Sequence, residues 1–273
     1  MNEAPIGVFD SGVGGLTVLR ALVAQLPNER FVYLGDTARL PYGTKTAQTV
    51  TRYALQAAEA LNGYGIKCLV VACNTASAVG LPAIRERFNT LPVIGVVEPG
   101  AEAACDASVS GHIAVIGTEG TIRGGAYQEA IRRRRKDARV SAMPTPLFVA
   151  LAEEGLVEGA VAEAIAHHYL DALFTREVAA TGRPDTLVLG CTHFPMLAGA
   201  VRASVGSDVR IVDSAITTAR KVGELLVSCG AGEVDGGAEV RFLATEGAER
   251  FARVGSRFLG RAIAAHEVGL IDL

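Results

Sequence analysis

Short apolar runs alternate with helix-length amphipathic segments along the whole sequence. Eight runs are predicted to be strands, at residues 6–9, 31–34, 68–72, 93–97, 113–116, 186–189, 211–212 and 240–244. Five segments are predicted to be helices, at residues 16–26, 46–64, 125–134, 158–174 and 215–227. Most of the strand runs are apolar throughout, which is typical of parallel strands that helices cover on both faces. The alternation predicts an α/β fold with doubly wound parallel sheets.

The predicted helix 158–174 carries a regular apolar pattern. Its members recur every four residues and are Val157, Val161, Ile165, Tyr169 and Leu173. Side chains at this spacing lie on the same side of a helix, so these five residues are predicted to share one face.

The composition is that of a globular protein without a nucleic-acid or membrane partner. The 273 residues are enough for one large domain or for two modest ones. Lysine and arginine total 26 against 29 acidic residues, so no net positive field favours nucleic acid or anionic lipid. The one basic cluster, residues 132–136, is interpreted as a solvated helix face, with a phosphate-binding patch as the alternative. No apolar stretch is long enough to cross a bilayer.

The cysteine content and the first residues of the sequence both favour a cytoplasmic location. The five cysteines, Cys68, Cys73, Cys105, Cys191 and Cys229, are odd in number and include no CxxC pair. This pattern argues against a disulfide framework and against a structural zinc site. Residues 1–5 contain no basic segment of the kind that begins an export signal. We therefore expect a reduced, cytoplasmic protein that binds no metal.

Small polar residues follow the predicted strands. Ligands of open α/β sheets bind beyond the carboxyl ends of the strands, beside helix N-termini. These ends are occupied here by residues 10–15, 35–37, 73–75, 117–121 and 190–193. The first of them, DSGVGG, lacks the GxGxxG spacing of a dinucleotide site, and Asp10 would repel a pyrophosphate. We therefore predict a site for a small ligand without a nucleotide cofactor.

Two pairs of segments indicate an internal repeat. Residues 69–75 (LVVACNT) parallel residues 187–193 (LVLGCTH), and residues 6–12 more faintly parallel residues 113–119. The second member of each pair follows the first by roughly 110–120 residues, which is the length of a domain rather than of a short repeat. Two similar lobes that face each other would bring both cysteine loops to one cleft.

Cys73 and Cys191 are the candidate reactive groups. Each ends an apolar strand, is followed by hydroxyl or amide residues and precedes a helix. Because a helix N-terminus lowers the pKa of a thiol, both are predicted to be poised for reaction. The remaining cysteines, Cys68, Cys105 and Cys229, begin a strand or lie in helical stretches and are interpreted as core residues.

Two poised thiols at matching positions permit three chemistries. A disulfide switch usually has its cysteines close in sequence, which these are not. A cysteine hydrolase needs one thiol with a histidine base and leaves the second thiol idle. Racemisation needs a base that removes an α-proton and an opposed acid that returns one, and a mirrored pair of thiols supplies both. The residues therefore favour racemisation.

The polar neighbours of the two cysteines suit this chemistry. His193 is placed to tune or relay the proton of Cys191, and Asp10 to do the same for Cys73. Neutral side chains offer hydrogen bonds to the carboxylate and ammonium groups of an amino acid, whereas a fixed positive charge would bind substrate and transition state alike. The neutral residues are Ser11, Asn74, Thr75 and Thr192.

Further motifs occur in order along the chain. They are residues 9–16 (FDSGVGGL), 35–37 (GDT), 41–43 (PYG), 72–76 (ACNTA), 117–121 (GTEGT), 146–149 (PLFV), 153–155 (EEG), 189–195 (LGCTHFP) and 212–214 (VDS). With them the sequence resembles the glutamate racemase family over essentially its full length. The cysteine motifs alone indicate only the wider aspartate/glutamate racemase superfamily.

The resemblance implies two similar α/β lobes related by a pseudo-twofold axis, with the active site in the cleft between them. The first lobe would comprise residues 1–97 and 213–273, and the second residues 98–212. The family's two bases correspond to Cys73 and Cys191, and its assisting groups to Asp10, Glu153 and His193. Its substrate contacts correspond to Asp10, Ser11, Tyr42, Gly43, Asn74, Thr75, Thr118, Thr121, Thr192 and His193.

The activity implied is racemisation of L-glutamate to D-glutamate for peptidoglycan synthesis, without pyridoxal phosphate, metal or any other cofactor. Glutamate is the expected partner, and a homodimer is the expected assembly. Thr145 stands where the family commonly has cysteine, and Ala150 where proline is common, which bears on fine specificity rather than on the chemistry. The segment before the first strand is short, so activation by a cell-wall precursor is not expected.

Three alternatives remain at this point. A sister racemase that acts on aspartate would share the two thiols. A cysteine hydrolase needs only one of them, and a ligand-binding protein that kept the fold needs neither.

Overall fold

Ten strands form the framework of the part of the chain that the computed structural model describes, residues 4–174, 182–228 and 237–273. The strands are β1 (Ile6–Asp10), β2 (Arg30–Gly35), β3 (Cys68–Val71), β4 (Val93–Gly95), β5 (His112–Gly117), β6 (Arg139–Pro144), β7 (Thr186–Gly190), β8 (Arg210–Asp213), β9 (Glu239–Ala244) and β10 (Val268–Leu270). They belong to two sheets, and every pair of neighbouring strands is parallel.

Helices follow most of the strands, as the predicted α/β alternation requires. They are α1 (Leu16–Gln25), α2 (Ala47–Asn62), α3 (Asn74–Val79), α4 (Leu81–Arg87), α5 (Val97–Ala107), α6 (Glu119–Gly124), α7 (Ala126–Arg134), α8 (Leu147–Glu154), α9 (Gly159–Phe174), α10 (Ala198–Val205), α11 (Ser214–Ser228) and α12 (Ala248–Leu259). Short 3-10 helices occupy Tyr42–Thr44, Phe194–Leu197 and Ala265–Glu267.

Four strands of the first sheet have the same order as the four strands of the second. The first sheet runs β10-β9-β2-β1-β3-β4, and the second runs β6-β5-β7-β8. In the first sheet β1 has β2 on one side and β3 followed by β4 on the other. In the second sheet β5 has β6 on one side and β7 followed by β8 on the other, so β1 matches β5 and β3 matches β7. The predicted internal repeat thus corresponds to two similar α/β lobes, and the predicted fold class is confirmed.

The register brings the candidate loops to one edge of each sheet. Phe9 of β1 lies opposite Leu34 of β2 and Val71 of β3. Gly117 of β5 lies opposite Gly190 of β7. Because parallel strands that end at the same level release their loops together, the loops after β1 and β3 are neighbours, and so are the loops after β5 and β7.

The central strands are buried because helices cover both faces of each sheet. Every residue of β1, β3, β5 and β7 is buried. On one side α1 packs against α11, and α5 packs against both α7 and α11. The interpretation of continuous apolar runs as strands covered on both faces is therefore confirmed.

The sequence pattern misses two strands and extends a third too far. Strand β6 is half-buried and mixes polar with apolar residues, and β10 has only three residues, so neither gives an apolar run. Val96 and Val97 were predicted to continue β4, but Val96 has helical dihedral angles and Val97 begins α5. Pairing of β4 with β3 stops at Gly95, which hydrophobicity alone does not reveal.

The buried face of α9 differs from the predicted one by one residue. Its buried residues are Ala162, Ala166, Leu170 and Phe174. The predicted row lies beside them and is only partly buried, and Val161 is 56% exposed. Two alanines in the buried row let α9 pack closely against α10, whereas hydrophobicity favours the neighbouring row of larger side chains.

The remaining predictions concern surface charge, membranes and the other cysteines. In the basic cluster, Arg134 lies 2.9 Å from Glu102 and Arg133 lies 3.8 Å from Glu98, as expected of a solvated helix face. No helix in the described residues is long and apolar enough to cross a membrane. Cys68 is buried in β3, Cys105 is partly exposed on α5, and Cys229 lies outside the described residues.

Candidate active site

The loops that follow β1, β3, β5 and β7 surround one cavity of about 300 Å³. Cys73 comes directly after β3 of the six-stranded sheet, and Cys191 comes directly after β7 of the four-stranded sheet. Both side chains line the cavity. The equivalent strands of the two lobes therefore each contribute one thiol to the same space.

Cys73 is a buried thiol held at the start of a short helix. Its Sγ accepts a hydrogen bond from the backbone N–H of Ala76 at 3.4 Å and donates one to the Ser11 hydroxyl at 3.5 Å. Burial and the nearby Asp10 carboxylate raise the pKa of Cys73 to about 12, against the smaller effects of these hydrogen bonds. The N–H of Ala76 at the helix N-terminus does lower the pKa, but loss of hydration outweighs it, so the net lowering that the sequence predicts does not occur.

Cys191 has a different environment that centres on an imidazole. The Sγ atom of Cys191 lies 3.7 Å from Nδ1 of His193, and Nε2 of the same ring lies 3.2 Å from Oε1 of Glu153. Burial alone would lower the pKa of His193, but the hydrogen bonds to Cys191 and Glu153 raise it to about 10. Mainly through the His193 hydrogen bond, the pKa of Glu153 is lowered to about 2. At neutral pH this is an imidazolium between a carboxylate and a sulfur atom.

Asp10 lies behind the cavity wall. Its side chain is buried, and its Oδ2 accepts a hydrogen bond from the backbone N–H of Gly12 at 3.0 Å. Burial raises the pKa of Asp10, while the positive charge of His193 opposes that shift. Within the described residues the Oδ1 atom has no hydrogen-bond partner. The Asp10 carboxylate therefore acts electrostatically on both thiol environments.

Asn74 is oriented by a tyrosine from the other lobe. The hydroxyl of Tyr127, on α7, donates a hydrogen bond of 2.8 Å to Oδ1 of Asn74, on α3. Both side chains are buried. Among the described residues Nδ2 of Asn74 has no acceptor. Since Asn74 lines the cavity, its amide is an available donor for a ligand.

Three threonines form a cluster that joins the two lobes. The hydroxyl of Thr75 lies 2.9 Å from that of Thr118 and 3.2 Å from that of Thr121. Gly43 packs against this cluster so closely that a Cβ atom there would lie 2.6 Å from Cβ of Thr118. Neutral hydroxyl groups and the backbone of Gly43 therefore form this wall of the cavity.

Tyr42 is fixed in the cavity wall by a buried carboxylate. Its hydroxyl donates to Asp36, which also accepts from Arg39 at 2.6 Å and from Thr245 at 3.0 Å. Burial and the charge of Asp36 raise the pKa of Tyr42, so its hydroxyl stays protonated.

Eleven of the thirteen residues predicted for the site line this cavity. They are Ser11, Tyr42, Gly43, Cys73, Asn74, Thr75, Thr118, Glu153, Cys191, Thr192 and His193. Asp10 and Thr121 are buried immediately behind it. Sequence reasoning gave no role to Glu119 or Val149, which also line the cavity, nor to Asp36, Tyr127 and Arg250, which hold lining residues in place. Asp36, Glu119 and Val149 lie within the motifs and Tyr127 and Arg250 lie in none of them, but the roles of all five depend on contacts with distant parts of the chain.

The described residues offer no other arrangement that competes with this site. A larger cavity of about 420 Å³ has a charged lining, but Arg85 lies 2.9 Å from Glu98 and Lys221 lies 3.0 Å from Glu224, so its charges bind one another. No group of three or more His, Cys, Asp or Glu side chains in the described parts of the chain is arranged to hold a metal ion.

Comparison with known proteins agrees with the fold. The profile of the family described as Asp/Glu/Hydantoin racemase matches residues 6–222. This match and the paired α/β lobes place the chain in this class of racemases.

The chain is similar to several glutamate racemases. That of Geobacter metallireducens is 48% identical over 264 residues, which are 93% of this chain and 92% of the relative. The crystal structure of the Francisella tularensis glutamate racemase in complex with D-glutamate is 32% identical, with a TM-score of 0.90 over 100% of this chain and 98% of that one. A Bacillus anthracis glutamate racemase is 36% identical, with a TM-score of 0.92 over 100% and 99%. The chain therefore belongs to the Asp/Glu/Hydantoin racemase family, among its glutamate racemases.

Proposed function

We propose that this chain interconverts L- and D-glutamate by proton transfer between the α-carbon and two thiols, Cys73 and Cys191. The observation that carries the proposal is the delivery of one thiol from each lobe into a single cavity. Glutamate is supported as the substrate by relatives named glutamate racemase that are 40–48% identical to this chain. A cavity of about 300 Å³ is of the size expected for a small ligand.

The two thiols have different surroundings and are assigned different roles. Cys73, with a pKa of about 12, is a neutral thiol at physiological pH and serves as the acid. Cys191, whose Sγ atom lies 3.7 Å from Nδ1 of His193, is assigned as the base. The resting enzyme thus holds one base and one acid.

The proposed reaction has two proton transfers. The Cys191 sulfur takes the α-proton, and the electron pair of the broken C–H bond remains on the α-carbon. The Cys73 thiol then gives its proton to the opposite face of that carbon, which inverts the centre and leaves Cys73 as thiolate and Cys191 as thiol. The other enantiomer reacts in reverse with this second enzyme form and restores the first one, so atoms and charge balance over both directions.

Neutral groups are proposed to hold the substrate. Asn74 Nδ2 and the hydroxyls of Ser11, Thr75 and Thr192 are donors that suit the carboxylates of glutamate. Neutral donors hold the ligand without a fixed positive charge, which would stabilise ground state and transition state equally.

A cysteine hydrolase is the second candidate, because one observation favours it. Cys191, His193 and Glu153 form a nucleophile–imidazole–carboxylate series of the kind that activates thiols for acyl transfer. A hydrolase has no use for Cys73 in the same cavity, so the racemase proposal accounts for more of the site. Aspartate is the other substrate to compare.

The wider setting is proposed on the same basis. D-Glutamate made by this reaction would supply peptidoglycan synthesis, and reduced catalytic thiols suit the cytoplasm. We propose lobes of residues 1–97 plus 213–273 and of residues 98–212, which is supported by the membership of β5 to β8 in one sheet. A homodimer is the proposed assembly, to be tested by measuring the mass in solution.

The test is direct. Purified protein is incubated with L-glutamate, D-glutamate or L-aspartate, and both enantiomers are quantified by chiral chromatography. We expect the reaction to approach an equal mixture of L- and D-glutamate from either starting enantiomer, and we expect L-aspartate to be converted much more slowly. Aspartate as the preferred substrate, or hydrolysis of a thioester without racemisation, would replace this proposal.

A further inference from the structure

The chain of contacts that starts at Cys191 does not end at Glu153. Oε1 of Glu153 faces His193, while Oε2 accepts a hydrogen bond of 2.7 Å from the guanidinium of Arg250, on α12. Arg257, two helical turns further along α12, donates to the backbone carbonyl of Glu153 at 3.2 Å. The carboxylate is therefore held from both sides.

The same helix also contacts the imidazole. The Phe258 ring of α12 packs edge-to-face against His193, with ring centroids 5.1 Å apart. Helix α12 belongs to the C-terminal part of the chain, whereas Glu153 lies on α8 and His193 follows β7. One helix of the six-stranded lobe thus supports two groups of the four-stranded lobe.

We propose that Arg250 is a positioning residue for the reaction: it fixes the Glu153 carboxylate so that His193 stays against the sulfur of Cys191. This inference rests on the proposed function. Glu153 is mostly buried, with a side-chain exposure of 16%, whereas Arg250 is half exposed at 47%. Arg250 thus reaches from the surface to a carboxylate whose other ion-pair partner among the described residues is His193.

The geometry favours positioning over a simple charge effect. A carboxylate with one oxygen on an imidazolium and the other on a guanidinium cannot rotate without loss of a charge-assisted hydrogen bond. Without Arg250, Glu153 is free to turn toward water and hold His193 less well. Among the described residues Cys73 has no equivalent arginine–carboxylate–imidazole series, so this arrangement serves Cys191.

The pH dependence separates a positioning role of Arg250 from a simple charge effect, because the two predict shifts of the His193 pKa in opposite directions when Arg250 is removed. The titratable groups that face His193 are Cys191, Glu153 and Asp10, and Arg250 and Arg257 face it from α12 through Glu153. If Arg250 positions Glu153, its removal weakens the bond to the imidazolium, and His193 loses its proton at lower pH. If Arg250 acts only as a nearby positive charge, its removal stabilises the imidazolium, and His193 loses its proton at higher pH.

The experiment compares Arg250→Gln, Arg250→Lys and a control, Arg253→Gln, in the full chain. Arg253 is exposed on the same helix. For Arg250→Gln we expect kcat to fall about tenfold, less than for a group that itself transfers the proton, with KM nearly unchanged. The alkaline limit of kcat should move down by about half a pH unit, and the titration of the His193 ring, followed by NMR, should move with it. Arg250→Lys should restore most of the lost kcat and most of the shift in the alkaline limit, and Arg253→Gln should match the unaltered chain.

Two results would contradict the positioning role of Arg250. An alkaline limit that is unchanged or moves upward in folded Arg250→Gln, or an equal loss in Arg253→Gln, overturns the positioning role. Thermal melting of each variant shows whether the fold is intact, and the NMR titration of His193 still reports the contact if activity is too low to measure. If the unaltered chain racemises no glutamate, the proposed function fails, but a shifted His193 titration would still support the contact itself.

Discussion

The Sγ atom of Cys191 lies 3.7 Å from Nδ1 of His193. Across the same cavity Cys73 has no imidazole partner in the described residues and contacts the Ser11 hydroxyl instead. The strands that deliver the two thiols are equivalent, but Cys191 lies beside His193, whose pKa is raised, and Cys73 lies near the buried carboxylate of Asp10, which raises the pKa of that thiol. A symmetric fold therefore places its two thiols in unlike surroundings.

Loss of the groups that support Cys191 should slow turnover more than it weakens binding. In Glu153→Gln the imidazolium loses its anionic partner, and in His193→Asn the cation itself is lost, so we expect kcat to fall by about a hundredfold with KM modestly changed. Because Glu153 raises the pKa of His193, the alkaline limit of kcat in Glu153→Gln should move to lower pH. Steady-state rates in both directions across pH give the result, and full rates in both variants would remove these residues from the mechanism.

A methyl group at Gly14 should damage the site. A Cβ atom there would lie 2.4 Å from Oγ1 of Thr192 and 2.5 Å from the His193 ring, both of which are buried. We expect Gly14→Ala to lose at least tenfold in kcat and about 1–3 kcal/mol of stability, because the imidazole must move. Gly199→Ala is the matched control, since nothing lies within 4 Å of its Cβ position in α10, and it should be active and up to ~1 kcal/mol more stable. Equal behaviour of the two variants in rate and melting temperature would contradict the packing described here.

Tyr127→Phe should weaken substrate binding through Asn74. Removal of the hydroxyl leaves the buried Asn74 Oδ1 without its donor and frees the amide to turn, at a stability cost of about 1–3 kcal/mol. We expect KM for glutamate to rise more than kcat falls. A double-mutant cycle with Asn74→Ala should show strong non-additivity in KM, because Tyr127 acts through that amide. Additive effects would mean that Tyr127 contributes to stability alone.

Activity should require no added group. The two thiols supply both the base and the acid, and no lysine lines the cavity among the described residues, so nothing there would form a Schiff base with pyridoxal. Racemisation is expected to survive exhaustive dialysis against a chelator, and the protein should show no visible absorbance of bound pyridoxal. Activity that is lost on dialysis and restored by a metal or by pyridoxal phosphate would refute a mechanism based on thiols alone.

The sequence predicted the features that depend on local pattern. Apolar runs revealed the central strands, and the similarity of residues 69–75 to residues 187–193 revealed the matching places of β3 and β7. The pKa of Cys73 could not be read in this way, because the burial and the Asp10 charge that dominate it come from the packing of distant segments. The contact of Arg250 with Glu153 spans 97 positions and leaves no local signal.

The central claim is that the two thiols act on opposite faces of the α-carbon, and the single variants Cys73→Ser and Cys191→Ser test it. Each variant is incubated in heavy water with L-glutamate or D-glutamate, and deuterium at the α-carbon is measured in the recovered amino acid. A remaining thiol that faces one side removes the proton of one enantiomer only and returns deuterium to the same face without inversion.

We therefore expect each variant to lose nearly all racemisation and to exchange one enantiomer, with opposite enantiomers for the two variants. In the unaltered chain, product from either side should carry deuterium while unreacted substrate stays largely protiated early in the reaction. If both variants exchanged the same enantiomer, or if either kept full racemisation, the two-thiol mechanism would be wrong.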